Sequence, residues 1–263
     1  MDAFNELAFS TRRVLRWSMP AWKRIVSYDS ICAELGPPAL SRLRDLEVST
    51  GGFSGWRCSR AEWRESLYVL DVLERWLPKS LPEGRALDVG AKNGCTIPGL
   101  ATACPRGWDF VELDAHRRYL WGSTRRAYGQ RLAKDFEGCR FIAGNVLDEP
   151  GPWAVVTWFL PFLTTTSLEA WGLPRRFLKP ERLLRHVVER IVPRGVLLVV
   201  NQGETEAGLQ AELFRELGCH AERLGRIESA LSPFVQPRFG FRWSKTASIL
   251  SDDGCSRGRT ASC

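Results

Sequence analysis

The sequence lacks the long apolar run that a membrane-spanning helix requires, which is about 18–20 consecutive hydrophobic residues. No stretch of its 263 residues reaches that length, so we expect no transmembrane segment. The first residues, MDAFNELAFSTRRVLRWSMP, begin with acidic side chains and contain no apolar core, which does not fit a secretory signal. These absences predict a cytoplasmic protein.

Local patterns for metal binding and for histidine-dependent catalysis are also missing. The chain has eight cysteines, but it has no C-x-x-C pair and no histidine at a zinc-like distance from two cysteines. We therefore expect reduced thiols and no metal site. Among the three histidines, we expect His186 to be structural within an amphipathic helix and His116 to lie at the rim of a pocket.

The charge is basic but does not by itself select a partner. The chain has 37 lysines and arginines, 30 aspartates and glutamates, and a net charge of +7. Because the basic residues are scattered and no recognised nucleic-acid motif is present, a nucleic-acid partner is compatible with the charge but is not favoured. The stretch RVLRWSMPAWKRIV is basic and aromatic and resembles a membrane-surface segment, but Pro20 interrupts it, so packing on the main domain is favoured.

The pattern of elements divides the chain into three regions. Residues 1–80 are predicted to form an N-terminal helical cap, in which Ser59 and Glu62 make a capping box at the start of its clearest helix. Residues 81–250 are predicted to form the main domain, and the small polar residues of 251–263 are predicted to form a disordered tail.

Strands and helices alternate through the main domain. Predicted strands are ALDV, WDFVEL, CRFIAG, WAVVTWFL, VLLVV and two later segments beginning HAERL and RFGFR. Helices are predicted between them, including one long basic helix over AHRRYLWGSTRRAYGQRLAKDF. This alternation predicts an α/β fold with a doubly wound, mostly parallel sheet that is covered on both faces.

Acidic and glycine residues follow the first two strands of this sheet. Asp88 ends the first strand, and Gly90 allows the tight turn and close backbone approach that a ligand needs there. Glu112 lies 22 residues after Gly90, which is the spacing expected for an acid that binds ribose hydroxyls. Asp114 is a second candidate for that role. After the third strand, Asn145 with the backbone of Val146 is a candidate for the edge of an adenine, with Asp148 as the alternative.

Four of these segments together resemble the class I S-adenosylmethionine-dependent methyltransferases: ALDVGAKNG, FVELDAHRRY, FIAGNVLD and WAVVTWFLPF. The resemblance covers roughly residues 80–245 and implies a Rossmann-like methyltransferase fold with S-adenosyl-L-methionine as cofactor. It implies that Asp88, Gly90, Ala91 and Lys92 surround the methionine part, that Glu112 binds the ribose, and that Asn145 and Val146 contact the adenine.

Two positions depart from that family's usual pattern. Lys92 stands where the glycine-rich loop normally has its middle glycine, and it can either pair with the cofactor's carboxylate or obstruct the site. Asn145 stands where an aspartate is common, and its carbonyl still accepts a hydrogen bond. A nicotinamide cofactor fits less well, because GAKNGC lacks the second glycine of a dinucleotide fingerprint.

The acceptor is the least defined part of the prediction. The family places it at the carboxyl end of the fourth strand, where WFLPF makes Trp158 and Phe162 candidates for substrate binding. The N-P-P-Y motif used on amino groups of bases is absent, which favours a small-molecule or lipid acceptor. No residue is assigned a catalytic role. The alternatives are a non-catalytic module that binds the cofactor and a methyltransferase that binds nucleic acid.

Overall fold

The structure is a computed structural model that describes residues 1–246, and it contains one seven-stranded sheet. Its strands are β1 (Ala86–Val89), β2 (Trp108–Glu112), β3 (Arg140–Ala143), β4 (Trp153–Phe159), β5 (Ile191–Gln202), β6 (Glu222–Ile227) and β7 (Arg238–Ser244). They are ordered β3-β2-β1-β4-β5-β7-β6, and only β7 runs antiparallel to its neighbours. The predicted doubly wound, mostly parallel sheet is thereby confirmed.

The strand order reverses between β1 and β4, which are parallel neighbours in the middle of the sheet. The chain moves from β1 outward to β2 and β3, and then returns to the other side of β1 through β4. At such a point the connections leave in opposite directions and open a crevice beyond the carboxyl ends of the strands. The loops after β1, β2 and β4 therefore meet at the expected ligand site.

Nine helices accompany the sheet within residues 1–246. They are α1 (Asp2–Val14), α2 (Tyr28–Cys32), α3 (Pro37–Thr50), α4 (Arg60–Trp76), α5 (Ile97–Ala103), α6 (Arg125–Ala133), α7 (Thr165–Ala170), α8 (Pro180–Arg190) and α9 (Gly203–Glu216). The start of α4 has the predicted capping box, with the Ser59 side chain on the N3 backbone and Glu62 accepting from the Ser59 N–H at 2.9 Å.

Both faces of the sheet are buried, because successive strand residues enter different cores. Ala86 packs in one core with Trp108 and with the α4 residues Tyr68 and Val72. The next residue, Leu87, packs in the other core with side chains from α8 and α9. The regular alternation explains why these strands are apolar throughout, as expected for parallel strands covered on both sides.

The long basic helix predicted over residues 115–136 is wrong. Only its second half is helical, as α6, and Thr124 caps that helix by accepting from the N–H of Ala127. The residues before it form an irregular loop that pairs with the N-terminal segment, through the N–H of Met19 and the carbonyl of Gly122 at 3.1 Å. Together with turn hydrogen bonds inside the loop, such as the Tyr119 N–H to the Ser123 carbonyl at 2.8 Å, this contact satisfies the loop backbone without a helix.

The N-terminal helices pack directly on the rest of the chain. The α4 side chains complete one core of the sheet, while α1 inserts Phe9 between Leu168 and Leu173. The division into a cap at residues 1–80 and a main domain from residue 81 stays a prediction. The predicted tail, residues 251–263, lies outside the described residues.

Other features of residues 1–246 bear on partners and cofactors. No helix in this range combines the length and apolar character needed to cross a membrane. Six cysteines in the range are free thiols. No cluster of three or more His, Cys, Asp or Glu side chains in the same range is arranged to hold a metal ion.

Candidate functional site

A cavity of about 460 Å³ opens at the carboxyl ends of the central strands. Its floor comes from the loops after β1, β2 and β3, and its walls come from the segment after β4, the start of α8 and one residue of α4. Its size falls within the usual range of small-molecule sites, roughly 300–1,000 Å³. Most of the predicted site residues thus line a cavity at the topological switch point.

The loop after β1 makes the tight turn that the glycines predict. Gly90 has a φ of +77°, and a side chain at that position would meet no atom within 4 Å, so the backbone borders open space in the cavity. Gly94, with a φ of +76°, instead allows close packing, because a Cβ there would lie 2.9 Å from the Cα of Gly129. The first glycine leaves room for a ligand and the second brings α6 against the loop.

Lys92 has a backbone conformation that favours glycine. Its φ is +53°, in the left-handed region that costs other residues roughly 1–2 kcal/mol. Its N–H donates to Glu112 Oε2 at 2.8 Å, while its ammonium lies 3.5 Å from Glu65 Oε1 and 5.9 Å from the ring centre of Trp171. Lys92 thus combines a strained backbone with three contacts at the cavity wall, to Glu112, Glu65 and Trp171.

Glu112 is buried at the end of β2 and lines the cavity. Its Oε1 accepts from the N–H of Asp114 at 3.0 Å and from Arg125 Nη1 at 2.9 Å, and its Oε2 accepts only from Lys92. Burial raises the pKa of Glu112, while Arg125 and the two backbone N–H groups favour the charged form. One carboxylate oxygen keeps capacity for a further donor, such as a hydroxyl.

Asp114, the alternative to Glu112, has a different position. It is buried outside the cavity lining and pairs with Arg12 at 3.0 Å and with Arg117 at 2.6 Å. Because Arg12 belongs to α1, this carboxylate ties the N-terminal helix to the loop after β2. The geometry thus favours Glu112 over Asp114 as a ligand-facing acid.

Asp88 also lies away from the cavity surface, although Ala91 and Gly90 of the same loop line it. The Asp88 carboxylate is buried and accepts from the Thr157 hydroxyl of β4 at 2.7 Å. Burial raises its pKa to about 7, against a smaller opposing effect of the Thr157 hydrogen bond. In this structure Asp88 links β1 to β4 beneath the loop.

Asn145 and Val146 lie together on the cavity wall after β3. The Asn145 side chain caps a short 3-10 turn, with its Oδ1 accepting from the N–H of Leu147 at 3.1 Å. Val146 is buried and presents its apolar side to the cavity. Asp148, the alternative residue, lines the same wall.

The two candidate acceptor residues differ in their surroundings. Trp158 touches the cavity but is only 4% exposed and belongs to the sheet core. Phe162 is partly buried and stands with its ring centre 6.0 Å from that of Trp171 across the cavity wall. Leu160, which lies between Trp158 and Phe162 in the sequence, has a φ of +57°. It is therefore a second strained residue at the cavity, after Lys92.

Glu65, Arg125 and Trp171 are among the cavity-lining residues that sequence reasoning missed. Arg125 pairs with Glu112 and lies 5.3 Å from the Trp171 ring centre. Glu65 accepts from the Cys95 thiol at 2.7 Å, and burial raises the pKa of Cys95 well above its ordinary value. Each residue comes from an element distant from the loop motifs, so no local pattern marked it.

Neither His116 nor His186 belongs to the cavity lining. His116 lines a neighbouring cleft with Arg13, Arg16 and Arg126, and its place at the rim of the pocket stays a prediction. The ring of His186 is within 3.1 Å of the Glu149 carbonyl oxygen and packs near Trp153, as expected for a structural histidine.

Comparisons with known proteins identify the fold but no relative by sequence. No protein-family model matches the chain, and no curated protein matches it. A methyltransferase from Pyrococcus furiosus superimposes with a TM-score of 0.52 at 13% identity, over 78% of this chain and 97% of that chain. The chain has the class I methyltransferase fold. At this identity the likeness defines the fold, and any activity must be argued from the site.

Two further solved structures are similar at lower TM-scores. N-methyltransferase NodS from Bradyrhizobium japonicum WM9, in complex with S-adenosyl-L-homocysteine, has a TM-score of 0.47 at 12% identity, covering 78% of this chain and 98% of that chain. Precorrin-6y C5,15-methyltransferase from Geobacter metallireducens GS-15 has a TM-score of 0.46 at 13% identity, covering 67% and 87%.

Proposed function

We propose that this protein is an S-adenosylmethionine-dependent methyltransferase that acts on an apolar small-molecule or lipid acceptor. The observation that carries the proposal is one continuous cavity with two chemically distinct ends. One end presents the Gly90 backbone, Lys92 and Glu112, and the other presents mostly apolar side chains of the segments after β4 and before α8, together with Arg176 and Lys179. A cytoplasmic location remains a prediction from the sequence.

The polar end fits the cofactor by its donor and acceptor set. The open space above Gly90 leaves room for the methionine part of the cofactor. Within residues 1–246, Glu112 Oε2 accepts only one hydrogen bond, so it can accept a second one from a ribose hydroxyl. The Lys92 ammonium suits the carboxylate of the methionine part. Val146 and Asn145 would contact the adenine, while Asp88 would act indirectly by holding β1 against β4.

The largely apolar end favours an acceptor with an apolar body, and the nearby Arg176 and Lys179 disfavour a positive charge on it. Its wall includes Phe162, Trp171 and Phe177 together with the aliphatic residues Leu168 and Leu173. When bound, S-adenosylmethionine supplies an activated methyl group. The chain's own contribution would be to align the acceptor and exclude water, which can supply much of the rate when the acceptor is already nucleophilic. For this reason we assign no catalytic base.

A second function, binding without transfer, is favoured by two features of the site. The buried Arg125 already occupies one oxygen of Glu112, and Lys92 replaces the loop's usual glycine. A chain that binds the cofactor for another purpose would tolerate both features. The two functions differ in whether a methyl group leaves the cofactor.

The test combines binding with transfer. Titration calorimetry with S-adenosylhomocysteine should give a micromolar dissociation constant, about −8 kcal/mol. Incubation of the purified protein with methyl-labelled cofactor and a lipid-plus-metabolite extract should then yield a labelled apolar product. Binding without any labelled product would favour the non-catalytic function. Absence of binding to both S-adenosylmethionine and S-adenosylhomocysteine would reject both.

A further inference from the structure

Exposed apolar side chains are concentrated in two short segments of the chain. Among residues 1–246, thirteen large hydrophobic side chains are exposed, and eleven of them lie within residues 1–25 and 120–121. Leu120 is fully exposed at 104%, and Trp22 is 78% exposed. Soluble proteins rarely gather so many such side chains in one place unless the surface binds something.

The two segments lie side by side. The Ser123 hydroxyl donates to the Pro20 carbonyl at 2.7 Å, and Arg118 donates to the carbonyl of Trp17. A Cβ placed on Gly122 would lie 3.0 Å from the Met19 side chain. We call the six exposed apolar side chains of this junction the aromatic ridge: Leu15, Trp17, Met19, Trp22, Leu120 and Trp121.

The backbone beneath the aromatic ridge is held in place. Trp121 Nε1 donates to the hydroxyl of Tyr128 at 2.7 Å, and that hydroxyl donates to the Trp22 carbonyl at 2.8 Å. Tyr128 itself is buried in α6. The exposed rings of Trp17 and Trp22 therefore project from an anchored surface, so their exposure is a feature of the fold.

The two chain stretches that carry the aromatic ridge contain basic residues and no acidic ones. Residues 7–28 contain five lysines or arginines, residues 115–134 contain six, and neither stretch contains an aspartate or glutamate. Four basic residues of these stretches pair with acids from other parts of the chain, namely Arg12, Lys23, Arg117 and Arg125. Within residues 1–246, the arginines of the same stretches that have no acidic partner within 4 Å include Arg13, Arg16, Arg24, Arg118 and Arg126. The acids of α1 point elsewhere, since Asp2 accepts from the Arg175 N–H and Glu6 pairs with Arg176.

We propose that the aromatic ridge and its arginines bind the surface of an anionic lipid bilayer. Tryptophan side chains prefer the headgroup level of a membrane, and aliphatic side chains such as Leu120 gain by entering the acyl boundary. Arginines beside them would pair with lipid phosphates, each adding to the attraction of the negative surface. No helix needs to cross the bilayer for this mode of binding.

Other occupants fit the same surface less well. Single-stranded nucleic acid would use the tryptophans and arginines, but Leu15, Met19 and Leu120 offer no ring on which a base can stack. A second copy of the chain would bring two sets of unpaired arginines together, which opposes association. Both remain distinguishable outcomes of the experiment below.

The surface is placed next to the acceptor end of the cavity. The helix α1, which leads into the aromatic ridge, packs Phe9 against Leu168 and Leu173, and both leucines line the cavity. Bilayer binding is nevertheless separate from the proposed function, because it is measured without cofactor or acceptor.

The test is co-sedimentation with vesicles of phosphatidylcholine alone or mixed with phosphatidylglycerol. The wild type should sediment with the anionic vesicles and release from them as salt is raised. The double variant Trp22→Ser/Leu120→Ser should partition about tenfold more weakly, because two apolar side chains no longer enter the interface. The matched control Val48→Ser/Val235→Ser, at positions 87% and 100% exposed elsewhere, should partition as the wild type does.

Three results would overturn the proposal. Equal partitioning of the ridge variant and the control would show that the aromatic ridge is not the contact. Binding of a labelled single-stranded oligonucleotide that the ridge variant loses, without vesicle binding by the wild type, would assign the surface to nucleic acid. A dimer in light scattering that the ridge variant converts to a monomer, again without vesicle binding, would assign it to self-association.

Discussion

Arg125 donates to Glu112 across 2.9 Å, and each side chain is only 7% exposed. The pair joins the acid at the end of β2 to the first residue of α6. Arg125 also lies beneath the ring of Trp171, so the charge pair supports one side of the cavity. A buried pair of this kind is costly to break, about 3–5 kcal/mol when one partner is removed. Because Arg125 occupies Glu112 Oε1, a ligand hydroxyl would donate to Oε2.

Substitutions of the neighbouring acids Glu112 and Asp114 should have different effects, the first on ligand affinity and the second on thermal stability. Glu112→Gln should weaken S-adenosylhomocysteine binding by about 1.5–3 kcal/mol, since a hydrogen bond to a charged acceptor is lost. Asp114→Asn should leave that affinity nearly unchanged and lower the melting temperature, because it loosens Arg12 and Arg117. Calorimetry and thermal unfolding measure both effects. A larger loss of affinity in Asp114→Asn would contradict the ribose assignment to Glu112.

Replacing Lys92 by glycine or by alanine should affect the backbone differently. Lys92→Gly relieves the cost of the left-handed conformation and should be more stable to unfolding than Lys92→Ala by about 1 kcal/mol. Both variants should bind S-adenosylmethionine more weakly than the wild type, because the ammonium is gone.

Adenosine provides the control for Lys92, because it lacks the amino-acid part of the cofactor. It should bind the wild type and both variants about equally in calorimetry. Tighter binding of the full cofactor by Lys92→Gly would show instead that the lysine obstructs the site, and it would favour the function without transfer.

Asp88 should make stability depend on pH. Its folded pKa of about 7 lies above its ordinary value of 3.8, so ionising the buried carboxyl costs stability. The loss should begin near the ordinary pKa, grow as the pH rises, and level off above about pH 7. Asp88→Asn should remove this dependence and gain up to about 4 kcal/mol at pH 8, an upper limit from the shift.

Urea unfolding at several pH values between about 4 and 8 measures the effect of Asp88→Asn. Thr157→Val is the companion variant, since it removes the hydroxyl that favours the charged carboxylate and should steepen the loss. A flat profile in the wild type would mean that Asp88 keeps an ordinary pKa.

The two aromatic candidates for the acceptor site should behave differently. Trp158→Ala should lower the free energy of unfolding by about 3–5 kcal/mol, because its ring is buried in the sheet core. Phe162→Ala should cost less stability, keep cofactor affinity, and reduce methyl transfer to the labelled apolar product. Thermal unfolding, calorimetry and the transfer assay report these three quantities. Wild-type transfer in Phe162→Ala would remove that residue from the acceptor site.

The local sequence is sufficient where a motif and its structure share the same few residues. Ser59 and Glu62 predict the start of α4 because capping depends on neighbours three residues apart. Gly90 and Glu112 predict the loop and the acid because the strand spacing of this fold keeps them adjacent. The apolar runs of β1, β2 and β4 likewise predict a sheet buried on both faces.

Features that depend on contacts between distant residues are visible only in the tertiary structure. The sequence predicts a helix over residues 115–124, yet these residues form a loop whose turns are held by local hydrogen bonds and by contacts with Met19 and Pro20 of the N-terminal segment. Arg125, Glu65 and Trp171 reach the cavity from three separate elements, and their positions depend on the packing of the whole chain. The sequence by itself determined the sheet, the glycine turn and the acid at its edge, because those depend on local spacing. Folding decided the ion pairs and aromatic walls around them, because contacts between distant residues leave no local pattern.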